Sequence, residues 1–183
     1  MPCYGTTWRR GQALPIVSGR SMPCWSGRSA PRARVVLGDG HATTCMTDKS
    51  FLDTNVLVYL FDRDAPAKQA RARHIVERVG ADGVVSTQVL QEFYVSVTRK
   101  LGKPLPAAEA EDAVHDLSAL DVVVVDVPMV KRAIALARSD SLSFWDALIV
   151  APARAHGCTR LLSEDLQDGR VFGDLRVENP FAA

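Results

Sequence analysis

Four acidic residues stand at places in the sequence where a carboxylate is unexpected. Asp53 and Asp165 come shortly after apolar runs, and Glu92 and Asp146 interrupt apolar stretches with helical spacing. An ionised carboxylate among apolar neighbours is unfavourable unless a cation or a hydrogen-bond donor pairs with it. Mg2+ takes a few carboxylate oxygens, keeps several waters and bridges to phosphate oxygens. Four such acids could hold one or two ions that orient water for in-line attack on a phosphate.

Each acid also has a purely structural explanation. Asp53 could cap the helix that follows it, Glu92 could lie on a solvated helix edge, and Asp165 could belong to a surface turn. Asp146 stands within the first turn after Ser141 or Ser143, where a helix can begin. The combination is more specific than its members, because the four acids occur where an α/β sheet would bring them together.

The spacing of apolar residues predicts the elements that would position these acids. From residue 50 onward, short apolar runs alternate with longer amphipathic stretches, which is typical of a parallel sheet covered by helices. Strands are predicted at 50–53, 84–86, 121–125, 160–162 and 175–177. Helices are predicted at 55–61, 67–79, 87–101, 107–120, 128–137 and 144–156. This order predicts an α/β fold, a three-layer α/β/α sandwich around a mostly parallel sheet with right-handed crossovers.

Two of the acids fall at the ends of predicted strands. Open parallel sheets bind ligands at the carboxyl ends of their strands. Asp53 ends the first predicted strand and Asp165 follows the fourth, so the two carboxylates converge if these strands are neighbours. The third predicted strand contains an unbroken β-branched run, residues 122–125, which is typical of a strand buried on both faces.

Charge is distributed unevenly along the 183 residues. Residues 1–45 contain six arginines and one aspartate, with Trp8 and Trp25 in no regular period, and we expect a disordered or non-native basic extension. An RNA-binding arm built from arginine and tryptophan is the alternative. Residues 46–183, the predicted folded domain, contain 16 basic and 20 acidic residues, a net charge of −4. Such a body argues against sequence-independent nucleic-acid binding by bulk charge, so any RNA affinity has to be local or metal-mediated.

Cysteine usage and hydropathy indicate the compartment. The four cysteines show neither CxxC spacing nor nearby histidines at zinc-ligand intervals, so we interpret them as free thiols in a reducing cytoplasm. No apolar run reaches the roughly 20 residues of a membrane-spanning helix. The N-terminus also lacks the order of a secretory signal. We therefore expect a cytoplasmic protein without membrane association.

Four segments within residues 50–181 resemble the PIN domain and, within it, the VapC toxins of type II toxin–antitoxin systems. They are FLDTN at 51–55, VSTQVLQEF at 85–93, SFWDALIVA at 143–151 and LSEDLQDG at 162–169. A single segment is a weak signal, but four in order over the whole body are specific.

The resemblance implies a site, a reaction and partners. It implies a quartet of acidic residues that bind Mg2+ or Mn2+ and carry out catalysis: Asp53, Glu92, Asp146 and Asp165. Asn55 and Ser163 would be supporting polar groups. The implied reaction is endonucleolytic hydrolysis of RNA by a toxin. The implied partners are RNA, a cognate VapB-type antitoxin whose C-terminal segment occupies the active-site groove, and a second copy of the chain in a homodimer.

Pro152 is one departure from the family pattern. It lies inside the predicted helix that carries Asp146, where the family usually has alanine. Proline in a helix interior removes one hydrogen bond and costs about 3 kcal/mol or more. Its ring would crowd the carbonyl of Leu148, so we predict a kink, a loss of stability and weakened activity. The basic extension is the other departure, and the resemblance gives it no role.

Other classes of protein fit the sequence less well. A haloacid dehalogenase phosphatase needs a second aspartate two positions after Asp53, where this chain has Asn55. A receiver domain needs a late lysine, and no lysine follows position 132. A flap-endonuclease relative carries DNA-binding elements that this short body cannot accommodate. The remaining alternative is a catalytically weakened PIN-like module that binds RNA or protein, and metal-dependent cleavage would separate it from a nuclease.

Overall fold

The computed structural model describes residues 48–182. Within that range lie six strands: β1 Ser50–Leu52, β2 Gly83–Ser86, β3 Asp121–Val123, β4 Arg160–Leu162, β5 Val171–Phe172 and β6 Leu175–Glu178. The α-helices of the same range are α1 Thr54–Val58, α2 Pro66–Val79, α3 Thr87–Arg99, α4 Ala107–Leu117, α5 Val127–Ser139 and α6 Phe144–Ala155. The predicted extension, residues 1–45, lies outside the described residues, so its order and its role remain predictions.

The strands form one sheet in the order β3-β2-β1-β4-β6-β5. Every pairing is parallel except that of β5 with β6. Strand β1 is central and all three of its residues are buried, so both faces of this strand contact the interior. Helices alternate with the strands and cover the sheet on both sides, which confirms the predicted α/β fold.

Helices α3 and α6 bring two of the acids to the edge of the core. In α3, Val89, Phe93 and Val97 recur every four residues and are fully buried, whereas Glu92 is half-buried. In α6, residues 147–153 are all buried, and the acid precedes them in the first turn of the helix. Each helix therefore packs its apolar stripe against the core and leaves its carboxylate at the boundary.

The prediction that the third strand is buried on both faces was wrong. Strand β3 ends at Val123 and lies at the sheet edge, where it pairs only with β2. Val124, within the same β-branched run, is 65% exposed. Such a run indicates strand propensity but does not distinguish an edge strand from a central one. The hairpin of β5 with β6 was also missed; it turns at Gly173, whose φ of +65° favours glycine.

Helix α6 is continuous across Pro152, which is buried inside it. Because proline has no N–H, the Leu148 carbonyl lacks its usual helical donor. The helix is followed by Gly157, whose φ of +70° suits the residue that ends a helix. The helix is not interrupted, and the loss of stability from Pro152 stays a prediction, with the Leu148 carbonyl as its expected cause.

Between residues 48 and 182, no helix combines the length and the apolar character required to cross a bilayer.

Cys158 is a buried free thiol, and burial raises its pKa to about 11. This thiol therefore remains protonated, and unreactive as a nucleophile, at neutral pH.

Candidate active site

Asp53 follows β1 directly and begins α1. Its Oδ1 accepts a hydrogen bond of 2.7 Å from the Thr54 backbone N–H, so it is the N-cap of that helix. The residue is nevertheless only 7% exposed. Its Oδ2 accepts from Ser163 Oγ at 2.5 Å and from Asn55 Nδ2 at 3.2 Å. The capping explanation is therefore correct but incomplete, because the second carboxylate oxygen faces another set of polar groups.

Asp165 lies beside Asp53 because β1 and β4 are parallel neighbours. Leu52 pairs with Leu162, and the Asp53 N–H donates to the Leu162 carbonyl at 3.0 Å. The Asn55 Nδ2 lies 3.2 Å from Oδ2 of each aspartate and links the two side chains. The two carboxylates thus meet at the carboxyl edge of the sheet.

Glu92 reaches the same edge from α3. Its Oε2 accepts from Thr54 Oγ1 at 2.9 Å, and its Oε1 accepts from Gln88 Nε2 at 2.8 Å. Since Thr54 also donates its N–H to Asp53, it connects the two acids. Sequence reasoning missed Thr54 and Gln88 as parts of the site. The signals for them were the position of Thr54 beside Asp53 and the four-residue spacing of Gln88 and Glu92, which places both on one helix face.

Asp146 stays outside this network. It occupies the first turn of α6, where its backbone N–H donates to Ser143 Oγ at 3.1 Å. Its carboxylate forms no hydrogen bond or ion pair with any residue of the range 48–182. The structure therefore joins three of the predicted acids and leaves the fourth apart. We call the joined set the acidic cluster: Asp53, Glu92 and Asp165.

The acidic cluster changes the proton affinity of its most buried member. Burial raises the pKa of Asp53 from its ordinary value of 3.8 to about 6. The hydrogen bonds from Ser163 and Thr54 lower this pKa, and the negative charges of Asp165 and Glu92 raise it. Asp53 is therefore mostly protonated below about pH 6, and a cation that binds there has to displace this proton.

Two amide oxygens of this network accept no hydrogen bond. The Asn55 Oδ1 and Gln88 Oε1 atoms are buried and have no donor among the described residues. Buried polar atoms of this kind are uncommon, and an ion or a water usually accounts for them. Carboxylate and amide oxygens are the ligands that a hard divalent cation prefers. In the described part of the chain, however, no three Asp, Glu, His or Cys side chains are close enough to hold an ion. The network therefore fits a divalent cation by the chemical type of its oxygen atoms and not by their distances from one another.

Glu164, next to Asp165, belongs to a separate ion-paired group. The Lys68 Nζ lies 2.8 Å from Glu164 Oε2 and 2.6 Å from the Tyr59 hydroxyl, which donates to the same carboxylate. Burial acts to raise the pKa of Glu164, but hydrogen bonds from Lys68 and Tyr59 lower it below its ordinary value. The group ties the turn that holds Ser163 to α2. Sequence reasoning missed it because its members are far apart in the chain.

Replacing Ser163 with alanine is expected to raise the pKa of Asp53 above about 7. A hydrogen bond to a charged group contributes about 1.5–3 kcal/mol, which is a tenfold or greater change in proton affinity. A 13C NMR titration of the Asp53 carboxyl in EDTA measures the change. The matched control is Ser118→Ala, at an exposed serine, which should leave the midpoint unchanged. An unchanged midpoint in Ser163→Ala would show that the hydroxyl does not stabilise the ionised carboxylate.

Comparison with known proteins relates the chain to one family. The PIN domain model matches residues 50–171, a range that includes all four predicted acids. Ribonuclease VapC24 from Mycobacterium tuberculosis is 26% identical over 140 residues, which cover 72% of this chain and 97% of the relative.

Two solved structures share the fold. A chain of a toxin-antitoxin complex from Klebsiella pneumoniae is 20% identical with a TM-score of 0.58, and the match covers 74% of this chain and 100% of that one. VapC20 from Mycobacterium tuberculosis, a Sarcin-Ricin loop cleaving toxin, is 23% identical with a TM-score of 0.51. That match covers 62% of this chain and 87% of VapC20.

Proposed function

The chain belongs to the PIN-domain family, and we propose that it is a metal-dependent endoribonuclease acting as the toxin of a type II toxin–antitoxin system. The reaction is hydrolysis of a phosphodiester bond in RNA. The relative named Ribonuclease VapC24 supports this activity. The resemblance of four segments to VapC toxins supports the biological role.

One observation carries the proposal: Asn55 links Asp53 to Asp165 at the carboxyl edge of the sheet, with Glu92 joined through Thr54. Carboxylates gathered in one place repel each other, and burial makes the ionised form of Asp53 still less favourable. Such an arrangement lowers the stability of the metal-free fold. It is suited to a site where a divalent cation neutralises the charges.

We assign the metal ligands and the groups that support them. The proposed ligands of Mg2+ or Mn2+ are Asp53, Glu92, Asp146 and Asp165. When bound, the ion orients a water for in-line attack and neutralises charge on the scissile phosphate. Asn55 and Ser163 orient Asp53 by donating hydrogen bonds to its Oδ2. Thr54 and Gln88 orient Glu92 by donating to its Oε2 and Oε1. Asp146 enters this assignment through the family pattern alone.

The proposed partners follow from the reaction and from the toxin role. RNA is the substrate. A VapB-type antitoxin would occupy the active-site groove with its C-terminal segment and so block access to the acids. A second copy of the chain would complete a homodimer, and the cytoplasm, where RNA is the available substrate, is the proposed compartment.

Cleavage of RNA by the purified full chain tests the proposal. Structured RNAs are incubated with Mn2+ or Mg2+, with EDTA as the control, and the parent is compared with Asp53→Asn. We expect cutting that requires the metal and that disappears in the variant. A folded parent that cuts none of a broad pool of RNAs with either metal would contradict the proposal.

A PIN-like module that binds RNA or protein without cutting is the second candidate. It is favoured by the position of Asp146 outside the acidic cluster and by Pro152 in the same helix. RNA binding by a folded parent without metal-dependent cutting would support it. Pro152→Ala is then the first variant to assay, since restored cutting would trace the absence of activity to α6.

A further inference from the structure

A basic pocket lies beside α2 and away from the acidic cluster. It has a volume of about 220 Å3 and is lined by α2, by β4 and by residues at and after the end of β6. None of the three acids of the cluster lines it. We call it the arginine pocket, after its basic residues: Arg71, His74, Arg78 and Arg160.

Helical spacing places the basic side chains of α2 along one stripe. Arg71, His74 and Arg78 are separated by three and four residues, so they share a face of the helix, and all three are exposed. Ile75, which is buried, forms part of the apolar floor beneath them. The Arg71 Nε donates to the Pro180 carbonyl at 2.9 Å, which holds its guanidinium at the pocket wall. The stripe therefore presents positive charge to the pocket.

Several donors in the pocket have no acceptor among residues 48–182. In the range 48–182, Arg78 and His74 form no hydrogen bond or ion pair. The Arg160 Nε is buried without a partner, and its Nη2 lies 3.4 Å from Asp48, whose side chain is 68% exposed. A buried donor without an acceptor is unfavourable by about 1–3 kcal/mol. An anion in the pocket would accept charge-assisted hydrogen bonds from the exposed side chains of Arg78 and His74.

The charge and size of the pocket favour a phosphate group. Three arginines line it against a single carboxylate, that of Glu178. Planar guanidinium groups match the oxygens of a phosphate. With about 30 Å3 for each water, the volume has room for a phosphate and several waters. The pocket is thus a local positive site on a body whose net charge is −4.

The turn after β4 connects the arginine pocket to the acidic cluster along the chain. Leu162, which lines the pocket, directly precedes Ser163, the hydroxyl that donates to the cluster. Lys68, one turn before Arg71 on α2, is ion-paired with Glu164. The pocket is therefore connected to the turn after β4, which carries Ser163 of the cluster network, and an RNA long enough to extend from this turn along α2 would reach both.

We propose that the arginine pocket binds a backbone phosphate of the substrate RNA, at a nucleotide beyond the scissile bond. This inference rests on the proposed ribonuclease function. A contact to the backbone contributes affinity and register but reads no base directly. Such a contact explains how a domain with a net negative charge, which does not attract RNA by its overall charge, holds its substrate.

The test measures RNA binding by the full chain in EDTA, which prevents metal-dependent cutting. Fluorescence anisotropy of a labelled single-stranded RNA of mixed sequence gives Kd over a series of NaCl concentrations. The pocket variant is Arg71→Gln/Arg78→Gln, and glutamine preserves helix propensity. The matched control is Arg132→Gln/Arg138→Gln, which removes two exposed arginines of α5 outside the pocket.

We expect Kd to rise at least about tenfold in the pocket variant and less than about twofold in the control. The slope of log Kd against log salt should fall by about 0.7 for each phosphate that the variant no longer neutralises. Equal weakening in the two variants, or no weakening in either, would overturn the inference. If the pocket variant does not fold, Arg78→Gln alone, at an exposed residue, provides the same comparison.

Two further outcomes separate the pocket from the other proposals. A polyglutamate peptide that displaces the RNA at equal charge would overturn the inference, because it would point to an acidic protein partner. A parent that binds RNA through the pocket but cuts none of a broad pool of RNAs with Mn2+ or Mg2+ would refute the ribonuclease proposal and leave the pocket as an RNA-binding site.

Discussion

Asparagine in place of Asp53 is expected to abolish RNA cleavage and yet stabilise the metal-free fold. It keeps the N-cap, because its Oδ1 can accept the Thr54 N–H. It also removes a buried charge. A pKa raised from 3.8 to about 6 means that the ionised Asp53 lowers the free energy of unfolding by about 3 kcal/mol at neutral pH. Part of this gain is offset because Asn55 then faces a second amide, so we expect a net gain of about 1–2 kcal/mol. Cleavage should fall at least about 100-fold, more than for the loss of a residue that only orients a metal ligand.

The same variant removes a pH dependence of stability. Because the pKa of Asp53 is higher in the folded chain than in the unfolded chain, the folded chain binds more protons between pH 3.8 and about 6. The metal-free parent should therefore lose stability as the pH rises, by on the order of 1 kcal/mol between about pH 5 and pH 7.5. Urea denaturation in EDTA at both pH values measures this loss.

A matched control for this experiment is Asp126→Asn. Asp126 is also an N-cap, of α5, but it is exposed. Its variant should keep both the cleavage activity and the pH dependence of the parent, whereas Asp53→Asn should lose both. A variant Asp53→Asn that is less stable than the parent in EDTA at neutral pH would show that burial of this charge is not unfavourable.

Alanine in place of Pro152 is expected to raise the melting temperature by about 3–6 °C. Proline in a helix interior is less favourable than alanine by about 3 kcal/mol, and here it leaves the Leu148 carbonyl without its donor. Removal of two buried methylene groups costs about 1.6 kcal/mol, because Pro152 is buried. The net gain in the free energy of unfolding is therefore about 1–2 kcal/mol.

Pro128 provides the control for this substitution. It stands in the first turn of α5, where a proline is well tolerated because it removes no helical hydrogen bond. Scanning calorimetry in EDTA should show a higher melting temperature for Pro152→Ala and no such increase for Pro128→Ala. If Pro152→Ala changes neither the melting temperature nor the affinity for Mn2+, α6 accommodates the proline, and the predicted weakening of activity has no basis.

The main elements could be predicted because their burial repeats along the chain. The four-residue recurrence of Val89, Phe93 and Val97 places α3 at 87–101, against an observed Thr87–Arg99. The position of a strand within the sheet has no such local signal. The position depends on pairing between distant residues, which is why the β-branched run at 122–125 led to the wrong prediction of burial for β3. Strand β5, at two residues, is too short to show any period.

The residues of the candidate site likewise fall into two groups, those that a local pattern predicts and those whose contacts depend on packing between distant elements. Asp53 and Asp165 could be located because both follow strands, and the carboxyl ends of parallel strands share one edge. The contacts of Thr54 and Gln88 with Glu92 depend on how α1 and α3 pack, which the sequence does not encode locally. The same dependence governs the Tyr59, Lys68 and Glu164 group, whose members come from three separate parts of the chain.

Binding of Mn2+ to the full chain, measured by isothermal titration calorimetry, tests the proposed carboxylate site most directly. The parent and Asp126→Asn are expected to bind Mn2+ equally. Their affinity should fall as the pH is lowered through about 6, because binding displaces the proton of Asp53. Asp53→Asn should bind Mn2+ at least about tenfold more weakly. Equal affinity of Asp53→Asn and the parent for Mn2+ would contradict a metal site built on this carboxylate.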